Sequence, residues 1–120
     1  MRKLQVDPQT VWPFMRVGIS IDLFPKIHEE GWRNVPPVPL FEIPKGERRD
    51  KYIYALAGDG CHRLEIAEAL LTPLLGALYE KDEEINPERD GLALFRASQT
   101  PRLYEQVIEM YGRRGRWLNL

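Results

Sequence analysis

The feature that most constrains this chain is a change of hydrophobic period between residues 51 and 71. Lys51-Tyr52-Ile53-Tyr54-Ala55-Leu56-Ala57 is a short apolar and aromatic run that reads as a buried strand. Leu64, Ala67, Leu70 and Leu71 then recur at helical spacing, with Glu65 and Glu68 on another face. Between the two lies Gly58-Asp59-Gly60-Cys61-His62-Arg63. A glycine-rich turn from strand into helix lets backbone N–H groups converge on an anion, and the positive end of the helix dipole favours that anion. The pattern therefore reads as a phosphate cradle made of Gly58, Gly60, His62 and Arg63.

Each of these residues also has a plainer reading. Arg63 fits a surface helix and His62 a cap. Cys61, a thiol at a helix N-terminus beside two cationic side chains, fits a nucleophile of lowered pKa or a small side chain that merely packs. Asp59 caps the helix, or holds Mg²⁺ between itself and a bound phosphate, since a bare carboxylate there would repel the ligand.

Upstream, Lys3 to Val6 reads as a first strand closed by Asp7-Pro8. Val11 to Met15 is apolar but broken by Pro13, which makes it a packed loop or edge segment. Ser20 or Asp22 caps a short helix over Leu23 to Glu30, with Pro25 in its first turn and Gly31 as terminator. Trp32 to Pro37 is an extended connector, and Val38 to Ile43 a strand that pairs as an antiparallel hairpin with the 51–57 run. Thr72-Pro73 stops the central helix, and Leu74 to Tyr79 is the next strand. Residues 92–96 fit a helix or a strand equally. Thr100-Pro101 starts a last helix with Leu103, Tyr104, Val107, Ile108 and Tyr111 on one face, ending at Gly112. The order β, α, β, β, α, β, α with a hairpin predicts an α+β domain: a small mixed sheet with flanking helices.

At 120 residues the chain is read as one domain, with 82–120 a C-terminal helical extension. Net charge is −1, so no global field draws it to nucleic acid or an acidic membrane. The apolar runs are too short to span a bilayer and there is no signal-peptide core, so no membrane partner is expected. One cysteine excludes an internal disulfide and fits a reducing compartment, the cytoplasm. His28, Cys61 and His62 do not make a zinc set. Arg113, Arg114, Arg116 and Trp117 form a basic, aromatic tail, read either as a solvated end or as a nucleic-acid contact.

Val35-Pro36-Pro37-Val38, the hairpin, Gly-Cys-His-Arg, an amphipathic helix, a proline and a further strand resemble sulfiredoxin in order and spacing. In that family the Gly-Cys-His-Arg motif carries the catalytic cysteine and the ATP phosphate site. The framework is similar to the N-terminal domain of ParB partition proteins, which have Gly-Glu-Arg-Arg in this turn. It is also similar to archaeal free-serine kinases, which have Asp-Gly-His-His-Arg. Here Asp59-Gly60-Cys61-His62-Arg63 mixes the first and third. The resemblance covers about Leu4 to Tyr79. The ParB glutamate is absent at Cys61, ParB's other box has no good match around Arg16, and the C-terminal third matches none of the three.

The resemblance implies a ParB/sulfiredoxin-like fold and ATP or another nucleoside phosphate as ligand; Mg²⁺ as cofactor follows from the second reading of Asp59. It adds Arg16 and Lys26 as basic residues of the nucleotide pocket, against the plainer and slightly favoured reading of solvated charges. Glu30, with His28 and Glu29 beside it, is a candidate general base for phosphoryl transfer, against the reading of an inert carboxylate at a helix end. The expected function is nucleotide binding, with Mg²⁺-dependent phosphoryl transfer or nucleotide hydrolysis as the chemistry if the protein is an enzyme. The alternatives are a ParB-like module with a DNA or protein partner, which the short C-terminal third disfavours, and a sulfiredoxin-type reductase using Cys61.

Overall fold

The computed structural model describes residues 1–13, 16–58, 60–86, 88–92 and 102–117, with the backbone alone for 114–117. Among these residues the chain forms a five-stranded mixed sheet and three α-helices. The strands are β1 (Arg2–Val6), β2 (Val11–Trp12), β3 (Val38–Glu42), β4 (Tyr54–Leu56) and β5 (Leu74–Tyr79). The helices are α1 (Leu23–Glu30), α2 (Cys61–Leu70) and α3 (Tyr104–Trp117). The α+β class with a mixed sheet agrees with the sequence reading.

The sheet order is β1-β5-β3-β4-β2. β3 and β4 make the antiparallel hairpin, with Phe41 opposite Ala55. β5 returns parallel to β3 through α2, with Val38 opposite Gly76, and β1 closes that edge antiparallel to β5. β2 pairs with β4 in parallel at Val11 and Trp12 alone, the edge position that the adjacent Pro13 allows.

β3 is buried at Val38, Pro39, Leu40 and Phe41 in succession, so both its faces are covered. Val38 meets the N-terminal cap of α2, and Phe41, on the opposite face, meets Tyr104 of α3 edge-on at 5.4 Å. Leu64 and Ala67 bring α2 into the main core, and Val107 and Tyr111 bring α3. Leu92 belongs to the same core, so the C-terminal third packs on the sheet. A second cluster, Ile27, Val35 and Ile66, seats α1 on another side of α2. α2 is thus covered on two sides.

Local signals explain the helix ends. Ser20 supplies the hydrogen bond at the start of α1, its Oγ accepting from Leu23 N at 3.2 Å, whereas the Asp22 side chain makes none. Gly31 ends α1 at φ 73°. α3 begins with half of a capping box, Leu103 N–H donating to Gln106 Oε1 at 2.9 Å. Leu103 itself is 66% exposed rather than on the buried face. The expected start at Thr100-Pro101 and the ambiguous 93–96 lie outside the described residues.

The expected end of α3 at Gly112 is corrected. The helix continues through Gly112 and Gly115 to Trp117, so Arg113 to Trp117 is helix rather than a tail. A helical glycine costs only about 1 kcal/mol relative to alanine. The Glu109–Arg113 ion pair one turn apart, and a cation near the helix C-terminus, favour continuation.

Beyond β5, the Tyr79 hydroxyl donates to Asp90 Oδ2 at 2.6 Å, and Asp90 also accepts from Arg89. Arg89 and then Tyr79 hold the Asp90 carboxyl well below the usual carboxylate range. Burial and then Asp90 push the Tyr79 phenol well above its ordinary value. No helix among the described residues is long and apolar enough to cross a membrane.

Candidate functional site

The turn from β4 into α2 has glycines with positive φ at both ends, Gly58 at 154° and Gly60 at 119°. Gly60 is the N-cap of α2, and a Cβ placed there would lie 2.4 Å from Val38 Cγ1. The backbone of the turn therefore approaches β3 more closely than any other residue would permit. Asp59, the expected Mg²⁺ ligand or cap, lies outside the described residues. Among the described residues no three His, Cys, Asp or Glu side chains lie close enough to hold a metal ion.

The first turn of α2 sends its three side chains in different directions. His62 is exposed, and its Nδ1 sits 3.2 Å from the Gly18 carbonyl oxygen. Since a carbonyl only accepts, Nδ1 carries the proton in this pair. Cys61 is half-buried, with Sγ 3.5 Å from the Pro13 carbonyl oxygen. Arg63 turns inward. It is 4% exposed, and its Nη1 donates to the carbonyls of Pro36 at 2.8 Å and Pro37 at 3.4 Å. The guanidinium expected on a phosphate here ties the Pro-Pro segment, and with it the entry to β3, to the start of α2.

Arg16 is engaged elsewhere as well. Its Nη1 reaches both carboxylate oxygens of Glu68 at 2.9 Å. That hydrogen bond raises the guanidinium above its ordinary value. Val17 N–H donates to Glu65 Oε1 at 3.1 Å. His62, Glu65 and Glu68 follow one another at three-residue spacing along one side of α2. Residues 16–18 thus lie as a strap across that side, with one contact per turn. Lys26 and Glu30 are both exposed on α1, and among the described residues neither side chain makes a hydrogen bond or ion pair, with the other or with the 58–63 turn.

Of the sequence-derived set, Gly58, Gly60, Cys61 and His62 come together at the turn. Arg63 lies beneath it and Arg16 some two helical turns along α2, while no side-chain hydrogen bond or ion pair joins Lys26 or Glu30 to it among the described residues. The sequence reading missed the carbonyls of Gly18, Pro36 and Pro37, and it gave Glu65 and Glu68 no partner. One signal was available for Arg63. It lies three and four residues before Ile66 and Ala67, both fully buried, so its side chain had to share their inward face.

Comparison with models of known protein families, with curated proteins and with solved structures finds no match.

Proposed function

We propose that this protein is a ParB/sulfiredoxin-like nucleotide-binding domain that takes the phosphates of a nucleoside di- or triphosphate at the β4–α2 turn. The observation that carries this reading is the backbone-built turn. Two glycines with positive φ, the second of them packed tightly against Val38, open into the N-terminus of a ten-residue helix. His62, the exposed residue of the first helical turn, offers an imidazole and a backbone N–H that has no acceptor among the described residues. Backbone donors at a helix N-terminus favour phosphate.

In this reading the cradle is backbone plus His62. Arg63 holds the turn in shape from below, and Arg16 holds the strap. A phosphate oxygen would compete with the Gly18 carbonyl for the His62 Nδ1 proton. The described residues offer no preformed metal site, so the reading rests on the turn itself, and phosphoryl transfer or hydrolysis would be a further step.

The test is titration of ATP, ADP and CTP, with and without Mg²⁺, followed by amide chemical shifts. The expected outcome is movement of the Gly60 to Arg63 amides, and affinity weakened roughly tenfold by His62→Ala, the loss of about one charge-assisted contact. Absence of binding by all three nucleotides, or shifts that leave residues 60–63 unmoved, refutes it.

A further inference from the structure

A second concave site lies away from this turn. A cleft of about 720 Å³ opens between α3 and the turn that joins β3 to β4. Tyr104, Ile108 and Tyr111 line it from the helix. Tyr104 and Tyr111 are two helical turns apart, roughly 10 Å along the axis.

The charges around the cleft divide into two groups. Arg48 is committed to Glu42 at 2.7 Å, and Arg113 to Glu109. Arg49, Glu47 and Glu105 also line the cleft, and among the described residues none of their side chains makes a hydrogen bond or ion pair. Nη1 of Arg49 is shielded from water and has no acceptor among the described residues, an arrangement that is costly unless something supplies one.

These uncommitted groups sit at opposite ends. The backbone N–H of Arg49 donates to the Tyr111 hydroxyl at 2.7 Å, which fixes the arginine at that end. Glu47 and Glu105 line the cleft toward Tyr104 at the other end, where burial first and then Glu47, Glu105 and Glu42 push the Tyr104 phenol up. One cation and two carboxylates therefore share a cleft without pairing, with aromatic and apolar surface between them.

We infer that the cleft binds a small zwitterion, its carboxylate on Arg49 and its ammonium between Glu47 and Glu105, a short peptide with free termini being the simplest member of the class. The planar guanidinium matches a carboxylate, and an ammonium brings donors for two carboxylates. An extended chain advances 3.3–3.6 Å per residue, so roughly 10 Å corresponds to about three residues. The tyrosine and isoleucine side chains take the apolar body of the ligand. This site uses no residue of the β4–α2 turn and stands whether or not nucleotide binds there.

The test uses the full chain and three probes: trialanine, N-acetyl-trialanine and trialanine amide, each titrated with amide chemical shifts as readout. Trialanine is expected to move amides of residues 46–49 and 104–113 and leave 60–63 in place. Each capped peptide is expected to bind roughly tenfold more weakly, the loss of about one charge-assisted contact. Arg49→Gln should bind trialanine as weakly as wild type binds the amide, with an unfolding midpoint no lower than wild type, since no bond of its side chain is lost. Glu47→Gln with Glu105→Gln, both at exposed positions, should weaken trialanine to the level of the acetylated peptide and leave the acetylated peptide's binding unchanged. Equal affinity for free and capped peptides, shifts at 60–63 alone, or no shift with any peptide overturns the inference.

Discussion

Replacing Arg63 by methionine separates a residue that shapes the turn from one that holds a ligand. Methionine keeps most of the stem volume and removes the guanidinium. In the folded protein the Pro36 carbonyl then loses a donor at 2.8 Å and the Pro37 carbonyl a longer one at 3.4 Å. Hydrogen bonds from a charged donor contribute about 1.5–3 kcal/mol each, and the longer one less. Part of that loss is offset, because the buried charge no longer has to be desolvated. A net loss of about 2 kcal/mol follows. With an unfolding entropy of about 2.1 cal/mol/K per residue, a 120-residue chain loses roughly 4 °C in Tm per kcal/mol, so Tm should fall by about 8 °C. The assay is thermal unfolding followed by circular dichroism, with ATP titrated at a temperature where both proteins are folded. Nucleotide affinity should change less than threefold, about 0.65 kcal/mol. A Tm within about 1 °C of wild type together with a tenfold loss of ATP affinity would refute the reasoning, because Arg63 would then be facing the ligand and not Pro36.

Two further outcomes follow from the same geometry. Gly60→Ala combines a φ of 119° with a Cβ 2.4 Å from Val38 Cγ1, and should cost about 2–4 kcal/mol in urea unfolding. Adding Val38→Ala should remove the overpacking part and leave the backbone strain, whereas a Gly60→Ala cost under about 0.5 kcal/mol would show that the turn is not tight. The Tyr79–Asp90–Arg89 network predicts a signed pH dependence. Asp90 is depressed, so its contribution is present above the unfolded carboxylate value of about 3.9 and is lost as pH falls through the lower folded value. Tyr79 is raised, so its contribution is present below about 10 and is lost as pH rises through the higher folded value. Asp90→Asn should flatten the acid limb of Tm against pH and lower the phenolate midpoint of Tyr79 in the absorbance titration. An ordinary phenolate midpoint for Tyr79 in the folded wild-type protein would contradict the network.

Much of the fold was legible because its signals are local. α1 runs over the span that Ser20, Pro25 and Gly31 mark, and β5 over the six residues after Thr72-Pro73. The hairpin of β3 and β4 pairs as expected, although β4 is shortened to Tyr54–Leu56. The overrun of α3 was less legible, since Gly112 is a weak stop when nothing after it forces the chain to turn. The strap was not legible at all. Arg16 and Glu68 lie 52 positions apart, and nothing in the spacing of either announces the other. The Arg49 cleft was equally hidden, because it depends on α3 lying beside a turn more than fifty residues earlier.

From the sequence alone came a strand, a pair of glycines and a helix in that order, with His62 and Arg63 in the helix's first turn. Period and backbone freedom are properties of a few adjacent residues, so they can be read without knowing the rest of the chain. Tertiary structure decided what those side chains face. It laid Gly18 against His62, Pro36 and Pro37 against Arg63, and Glu68 against Arg16. The partner of a charged or polar side chain is whichever distant segment the sheet order places beside it, and that order is set by burial of the whole core.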